Sequence, residues 1–155
     1  QLNPALQTDP GKNVQQSLAE SKGWSMEQAE QAMSYVTEVA RSVGLTYHFD
    51  KAVVANSFDA HRFTHLAKTQ SLQNEAEEGL FAAYFTNGEN TADRETLVRI
   101  GSEIGLDSET VKQTLEGNDF AVAVRNDIDE ARKLGMKIVA EVVVPDAWPD
   151  RKGAA

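Results

Sequence analysis

The chain has 155 residues, of which 41% are apolar and 25% charged, a composition typical of a globular domain with one hydrophobic core. A net charge of −9 offers no basic patch for phosphates, and no segment approaches the run of about 18 apolar residues that a membrane helix needs, so we expect neither nucleic acid nor a membrane as partner. The chain contains no cysteine, which excludes disulfides, thiolate metal sites and thiol chemistry by these residues themselves.

Helices dominate the predicted elements. After an extended lead-in over residues 1–12, apolar residues recur at helical spacing between capping residues and glycines. This pattern predicts a short helix over 13–23 and further helices over 26–43, 57–67, 72–85, 93–103, 107–115 and 119–134. Alternating apolar and polar residues over 45–50 favour a short strand or extended segment. We therefore predict a mainly α fold with six or so helices and one or two strands.

Short-range signals set several helix boundaries. Ser25 and Gln28 have the spacing of a capping box, and Asn56 or Ser57 is placed to cap the helix that follows. Leu106 is placed to make the hydrophobic contact that accompanies a glycine-terminated helix end. Asp119 is predicted to open the last helix.

A different pattern follows that helix. Residues 136–145 are short and rich in β-branched side chains, which favours a buried strand, and residues 146–155 form a loose tail. A single strand leaves backbone donors and acceptors unpaired. Its partner is then the 45–49 segment, another part of a larger protein, or a second copy of the chain. Ile138–Val144 is thus a candidate surface for self-association or for a partner strand.

Several sequence blocks, in order, resemble one family. They are Gln1-Leu2-Asn3-Pro4, Thr8-Asp9-Pro10, Gly44-Leu45 to Phe49-Asp50, Val54-Ala55-Asn56-Ser57-Phe58-Asp59-Ala60-His61-Arg62, Gln73-Asn74-Glu75-Ala76-Glu77-Glu78, Leu80-Phe81-Ala82-Ala83-Tyr84-Phe85-Thr86, Ile104-Gly105-Leu106-Asp107 and Glu130-Ala131-Arg132-Lys133-Leu134-Gly135. Together they resemble the DsbA-like thioredoxin-fold family, specifically its cytoplasmic FrnE-type dithiol–disulfide oxidoreductases, which are related to 2-hydroxychromene-2-carboxylate isomerases. The resemblance implies a helical insertion domain over 1–135, a strand re-entering the thioredoxin sheet over 136–145, a cytoplasmic location and a protein substrate.

Two departures from the family pattern decide the expected chemistry. The family's Cys-x-x-Cys lies upstream of the matching blocks, and the chain opens at Gln1 without an initiator Met, so we expect its natural start to have been removed or to lie upstream. Ala140 stands where the family has a cis-proline, and a cis bond before a non-proline residue costs about 2.5–4 kcal/mol. Disulfide exchange needs a thiolate. We therefore assign no catalytic residue, and no cofactor is expected.

The most characteristic block supplies the candidate site residues. Asn56, Asp59, His61 and Arg62 are candidates for lining a cleft that faces the thioredoxin half. Their structural interpretation is equally concrete, with Asn56 as a helix cap, Asp59 in the first helical turn and Arg62 in a salt bridge.

Two histidines and a group of aromatic residues could serve either a structural or a functional role. His61 and His65 have the i, i+4 spacing of metal ligands, but no third ligand is evident, so we predict no metal site. The aromatic residues are interpreted as core rather than as a ligand box; they are Phe58, Phe63, Phe81, Tyr84 and Phe85.

Three functions remain open at this point. The first is a fragment or degenerate member of the oxidoreductase family that is not redox-competent alone. The second is a helical interaction module that uses Ile138–Val144. The third is a remnant of a glutathione-dependent isomerase.

Overall fold

The computed structural model of the protein describes residues 4–135. This part of the chain contains seven α-helices and two short strands, which confirms the predicted mainly α fold. In chain order they are β1 (Asp9–Asn13), α1 (Val14–Lys22), α2 (Met26–Ser42), β2 (Val53–Val54), α3 (Phe58–Thr69), α4 (Gln73–Phe81), α5 (Arg94–Glu103), α6 (Ser108–Glu116) and α7 (Ala121–Lys133). A π-helical turn, Ala82–Asn87, continues directly from α4.

The helix ends follow the predicted local chemistry. The Asn13 side chain accepts a hydrogen bond from the backbone of the first turn of α1, and Gly23 ends that helix in the left-handed conformation at φ 65°. Ser25 and Gln28 form both hydrogen bonds of the predicted capping box at the start of α2. Leu106 is buried beyond the end of α5, as predicted.

The two strands tie the N-terminal segment to the middle of the chain. β1 pairs antiparallel with β2, with Asp9 opposite Val54 and Asn13 opposite Val53, and the register is irregular between those pairs. α1 follows β1 without a break, so the pairing holds α1 against β2, the strand that precedes α3. α2 packs back against α1 and leaves Tyr35, Val36 and Val43 exposed.

The hydrophobic core lies among α3, α4, α5 and α6, with α7 packed on α3. Its largest fully buried side chains are Phe63, Leu97, Ile100, Leu115, Val111 and Val124. Gly101 lets α5 approach its neighbours closely, because a Cβ there would lie 2.9 Å from the Val111 side chain and 3.2 Å from Phe63.

Three sequence predictions differ from the structure within the described residues. Of the two alternatives for the 45–50 segment, the strand is wrong, because its aromatic rings pack on Phe85 and no strand of the described residues pairs with it. The helix predicted over 72–85 changes to the π-helical turn after residue 81. The last helix starts after Phe120, whose backbone adopts φ 60°, and not at Asp119. The strand predicted over 136–145 and the tail over 146–155 lie outside the described residues.

Candidate functional site

A cleft of about 700 Å³ opens between α1 and the α3–α4 pair. We call it the central cleft. Its lining is mostly apolar, with a few hydroxyl groups, one carboxylate and one imidazole. The lining residues are Leu6, Val14, Ser17, Leu18, Ser21, Val54, Ala55, Ser57, Ala60, His61, Thr64, Glu77, Leu80, Phe81, Tyr84, Phe85 and Thr91.

Asn56 fixes the N-terminal segment against the start of α3. Its side-chain amide donates to the Leu6 carbonyl oxygen at 2.6 Å, and its own backbone N–H donates to Thr8 Oγ1 at 2.9 Å. Its Oδ1 accepts from the Phe58 backbone N–H at 2.9 Å, while Ser57 makes no side-chain cap. Asn56 therefore shapes one edge of the central cleft through its hydrogen bonds, without lining it.

The π-helical turn brings aromatic rings to the cleft wall. Tyr84 and Phe85 both belong to this turn, and their rings meet edge to face at 4.9 Å. Phe85 is held from behind, because its ring stacks on Tyr47 at 4.4 Å and its carbonyl oxygen accepts from the His48 N–H at 2.6 Å. π-helical turns within α-helices occur frequently at functional sites.

The prediction that the aromatic residues belong to the core is wrong for the three that form this wall. Phe63 is fully buried, as that interpretation expects, but Phe81, Tyr84 and Phe85 line the central cleft. Phe81 is 55% exposed.

His61 is the imidazole of the central cleft. Burial lowers its pKa from 6.5 to about 4, because the cleft gives the charged ring too little water. The negative charges of Asp127 and Glu77 act in the opposite direction and do not overcome this effect. Across residues 4–135, neither ring nitrogen of His61 has a hydrogen-bond partner. The side chain is therefore an uncharged polar group with free hydrogen-bonding capacity at the cleft wall.

Two further ionisable groups line the same cleft. Burial raises the pKa of Tyr84, so its phenol stays protonated near neutral pH. Glu77 accepts a hydrogen bond from the Gln73 side-chain amide at 2.8 Å. No Lys or Arg side chain of the described residues lines the central cleft.

Arg62 points into the helical core instead of the central cleft. Arg62 is 4% exposed, and its guanidinium donates to the carbonyl oxygens of Asp119 and Gly117, each at 2.8 Å. It also donates to the Thr114 carbonyl oxygen and, at 2.8 Å, to the Asp59 carboxylate. Arg62 thus connects α3 to the end of α6 and to the loop that precedes α7, and Asp59 on the same helix holds its guanidinium.

His65, the second histidine of α3, contacts α7 and does not line the central cleft. His65 Nε2 lies 2.7 Å from Asp127 Oδ2 on α7, and the ring stacks on Phe120. Within residues 4–135, no cluster of three or more His, Asp or Glu side chains is arranged to hold a metal ion. No helix of this part of the chain is long and apolar enough to cross a membrane.

The four residues proposed from the sequence are therefore divided. His61 lies at the cleft wall and Asn56 supports its edge, whereas Arg62 joins α3 to α6 and Asp59 pairs with Arg62. Ala140, the cis-proline-equivalent position, lies outside the described residues.

Sequence reasoning overlooked the contribution of α1 to the cleft. A signal for it was present, because the four positions that line the cleft repeat with the spacing of one helix face: Val14, Ser17, Leu18 and Ser21.

Two comparisons with known proteins point to the same family. The sequence profile of the DSBA-like thioredoxin domain matches residues 5–139. The crystal structure of a probable DsbA oxidoreductase from Streptomyces coelicolor is similar, with a TM-score of 0.78 and 29% sequence identity. That match covers 86% of this chain, which spans 58% of the length of the Streptomyces protein. A comparison with curated protein sequences found no match.

Proposed function

Because the chain belongs to the DSBA-like thioredoxin domain family, we propose that it acts as the helical, substrate-facing part of a DsbA-like thiol–disulfide oxidoreductase and does not itself carry out the exchange. The absence of cysteine from all 155 residues carries this proposal. Exchange proceeds by attack of a thiolate on a disulfide sulfur, and no side chain of this chain can supply that nucleophile.

The described structure supports a binding role. The helices bury a well-formed core, while the central cleft stays open, apolar and edged by an uncharged imidazole. Pockets of this kind, with a mostly apolar lining and a few polar groups, are typical of ligand sites. The cytoplasmic location and the FrnE-type specificity implied by the sequence resemblance stay predictions.

A thiol–disulfide exchange assay tests the proposal. The 155-residue chain is incubated with a dithiol peptide and an oxidant, and disulfide formation is followed beside a thioredoxin-type enzyme and a protein-free blank. Pretreatment with a thiol-alkylating reagent inactivates contaminating enzymes but has no thiol to modify in this chain. We expect the rate of the blank. Turnover above the blank that survives alkylation would refute the proposal.

Self-association through Ile138–Val144 is an alternative function, and it is tested by the oligomeric state of the chain. Its support is the β-branched composition of that segment, because a strand with unpaired backbone groups gains hydrogen bonds by pairing with another. Sedimentation equilibrium of the intact chain over a range of concentrations tests it. A dimer that is lost when Val142 is replaced by Pro supports this alternative, and a monomer at every concentration rules it out.

The glutathione-dependent isomerase remnant meets an electrostatic objection. Glutathione is an anion near neutral pH, and the described lining of the central cleft has no cationic side chain to pair with its carboxylates. A ligand of the folded state raises the melting temperature. We expect glutathione to leave the melting temperature of this chain unchanged, and a rise that grows with glutathione concentration would favour the isomerase remnant.

A further inference from the structure

We propose that the central cleft binds an uncharged, mainly aromatic small molecule that carries one hydrogen-bonding group directed at His61. This inference rests on the proposed binding role of the cleft and names the class of molecule that the cleft accepts.

The size and lining of the central cleft fit a small aromatic molecule. Its volume of about 700 Å³ lies within the range of about 300–1,000 Å³ that is common for small-molecule sites. Phe81, Tyr84 and Phe85 form an aromatic wall, and Val14 and Leu18 of α1 face it across the cleft. Aromatic rings stack favourably in such surroundings, in edge-to-face or offset arrangements.

His61 supplies the orienting polar contact. Its ring is partly buried at the cleft wall and has no hydrogen-bond partner within residues 4–135. An apolar ligand that displaces water from the cleft would leave this ring unpaired, which is costly, whereas a ligand hydroxyl or carbonyl that reaches the ring avoids that cost. An uncharged imidazole both donates and accepts, and it therefore serves either kind of ligand group.

The charged groups of the central cleft favour an uncharged ligand over an anion or a cation. Glu77 lines the cleft, and no Lys or Arg of the described residues does so. An anionic ligand would meet this carboxylate without a compensating cation. The Glu77 carboxylate attracts a ligand cation, but the burial that outweighs this attraction at His61 also disfavours a cation beside the ring. An uncharged ligand avoids both costs.

A charge series on one aromatic scaffold tests this selectivity. Isothermal titration calorimetry near neutral pH compares 2-naphthol, 2-naphthoate and 2-naphthylmethylamine, which are uncharged, anionic and cationic. We expect 2-naphthol to bind about tenfold more tightly than either charged analogue. Equal or tighter binding of a charged analogue would overturn the inference about ligand class and leave the binding role of the cleft intact.

Two pairs of variants test the location. His61→Phe keeps an aromatic ring but removes the hydrogen bond, so we expect about tenfold weaker binding of 2-naphthol, whereas His65→Phe, on the same helix but outside the cleft, keeps the wild-type affinity. Ser17→Phe fills the cleft from α1 and should abolish binding, whereas Gln16→Phe on the exposed side of α1 should not. Circular dichroism melting verifies that each variant is folded.

The outcomes separate the two proposals. If a folded Ser17→Phe variant binds 2-naphthol with wild-type affinity, or if the wild-type chain does not bind it, the central cleft is not the site and this inference fails. The redox proposal is measured by disulfide formation, so it stands or falls independently of that result.

Discussion

Lowering the pH should destabilise the protein through His61. In the unfolded chain this imidazole takes up a proton near pH 6.5, but in the folded protein its pKa is about 4, because burial disfavours the charged ring. Between these values the unfolded state binds more protons than the folded state. The free energy of unfolding contributed by His61 is therefore fully present above about pH 6.5 and is lost as the pH falls towards 4.

The fall in pKa sets the size of the effect. A change from 6.5 to about 4 corresponds to about 3 kcal/mol of unfolding free energy. The ring is only partly buried and faces an open cleft, so water screens part of this penalty. We expect an observed contribution of about 1–3 kcal/mol.

Urea unfolding of the wild type and of His61→Phe, followed from near-neutral pH to about pH 4, measures this contribution. The difference between the two stability curves isolates His61 from the many carboxylates of this acidic chain. We expect the wild type to lose more stability than the variant over this interval. Parallel curves for the wild type and His61→Phe, or an NMR titration of His61 centred near 6.5, would refute the reasoning.

Three further predictions concern the packing and the caps of the helices. Arg62→Met should cost about 3–5 kcal/mol in urea unfolding, because it removes the guanidinium that donates to the buried Thr114 carbonyl oxygen and to the partly buried Gly117 carbonyl oxygen and Asp59 carboxylate. A loss no larger than that of the surface variant Arg132→Met would contradict the network. Gly101→Ala should lower the free energy of unfolding by about 1–3 kcal/mol in the same assay, because the new methyl group overlaps Val111. An unchanged unfolding midpoint would show that α5 and α6 can move apart without cost. Ser25→Ala should lower the free energy of unfolding by about 1 kcal/mol and so lower the melting temperature. Ser25→Asp keeps a capping acceptor and should retain most of the wild-type stability. Equal melting temperatures for the two variants would argue against the capping box.

Local sequence signals predicted the helices well because the chemistry of their ends is local. A cap is made by a side chain and backbone groups within a few residues, as Ser25 and Gln28 show. The salt bridge between Asp59 and Arg62 is local in the same way, since residues three apart lie on one helix face. Signals of this range also fixed the position of Leu106 after α5.

The features missed from the sequence depend on residues far apart in the chain. β2 has two residues and acquires its strand identity only by pairing with β1, about 40 positions earlier. The 45–50 segment alternates as a strand does, but its rings find an aromatic partner in Phe85 rather than a neighbouring strand. Periodicity cannot distinguish these outcomes.

The candidate site was only partly predictable for the same reason. The sequence pointed to the block that contains His61, but the neighbour of His61 in sequence, Arg62, enters the core instead of the cleft. Whether an aromatic side chain such as Tyr84 becomes core or cleft wall depends on where α1 lies. That position is set by the hydrogen bonds of Asn56 to the N-terminal segment and by the pairing of the two strands.

The central claim, that the functional surface of this chain is the cleft between α1 and the α3–α4 pair, can be tested by amide chemical-shift mapping. The isotopically labelled chain is titrated with 2-naphthol, and the shift change of each backbone amide is followed. The account predicts that the largest changes cluster at Leu18, Thr64 and Tyr84, which surround the cleft. Changes concentrated instead at the exposed apolar side chains of α2 and its end, such as Tyr35 and Val43, would contradict it.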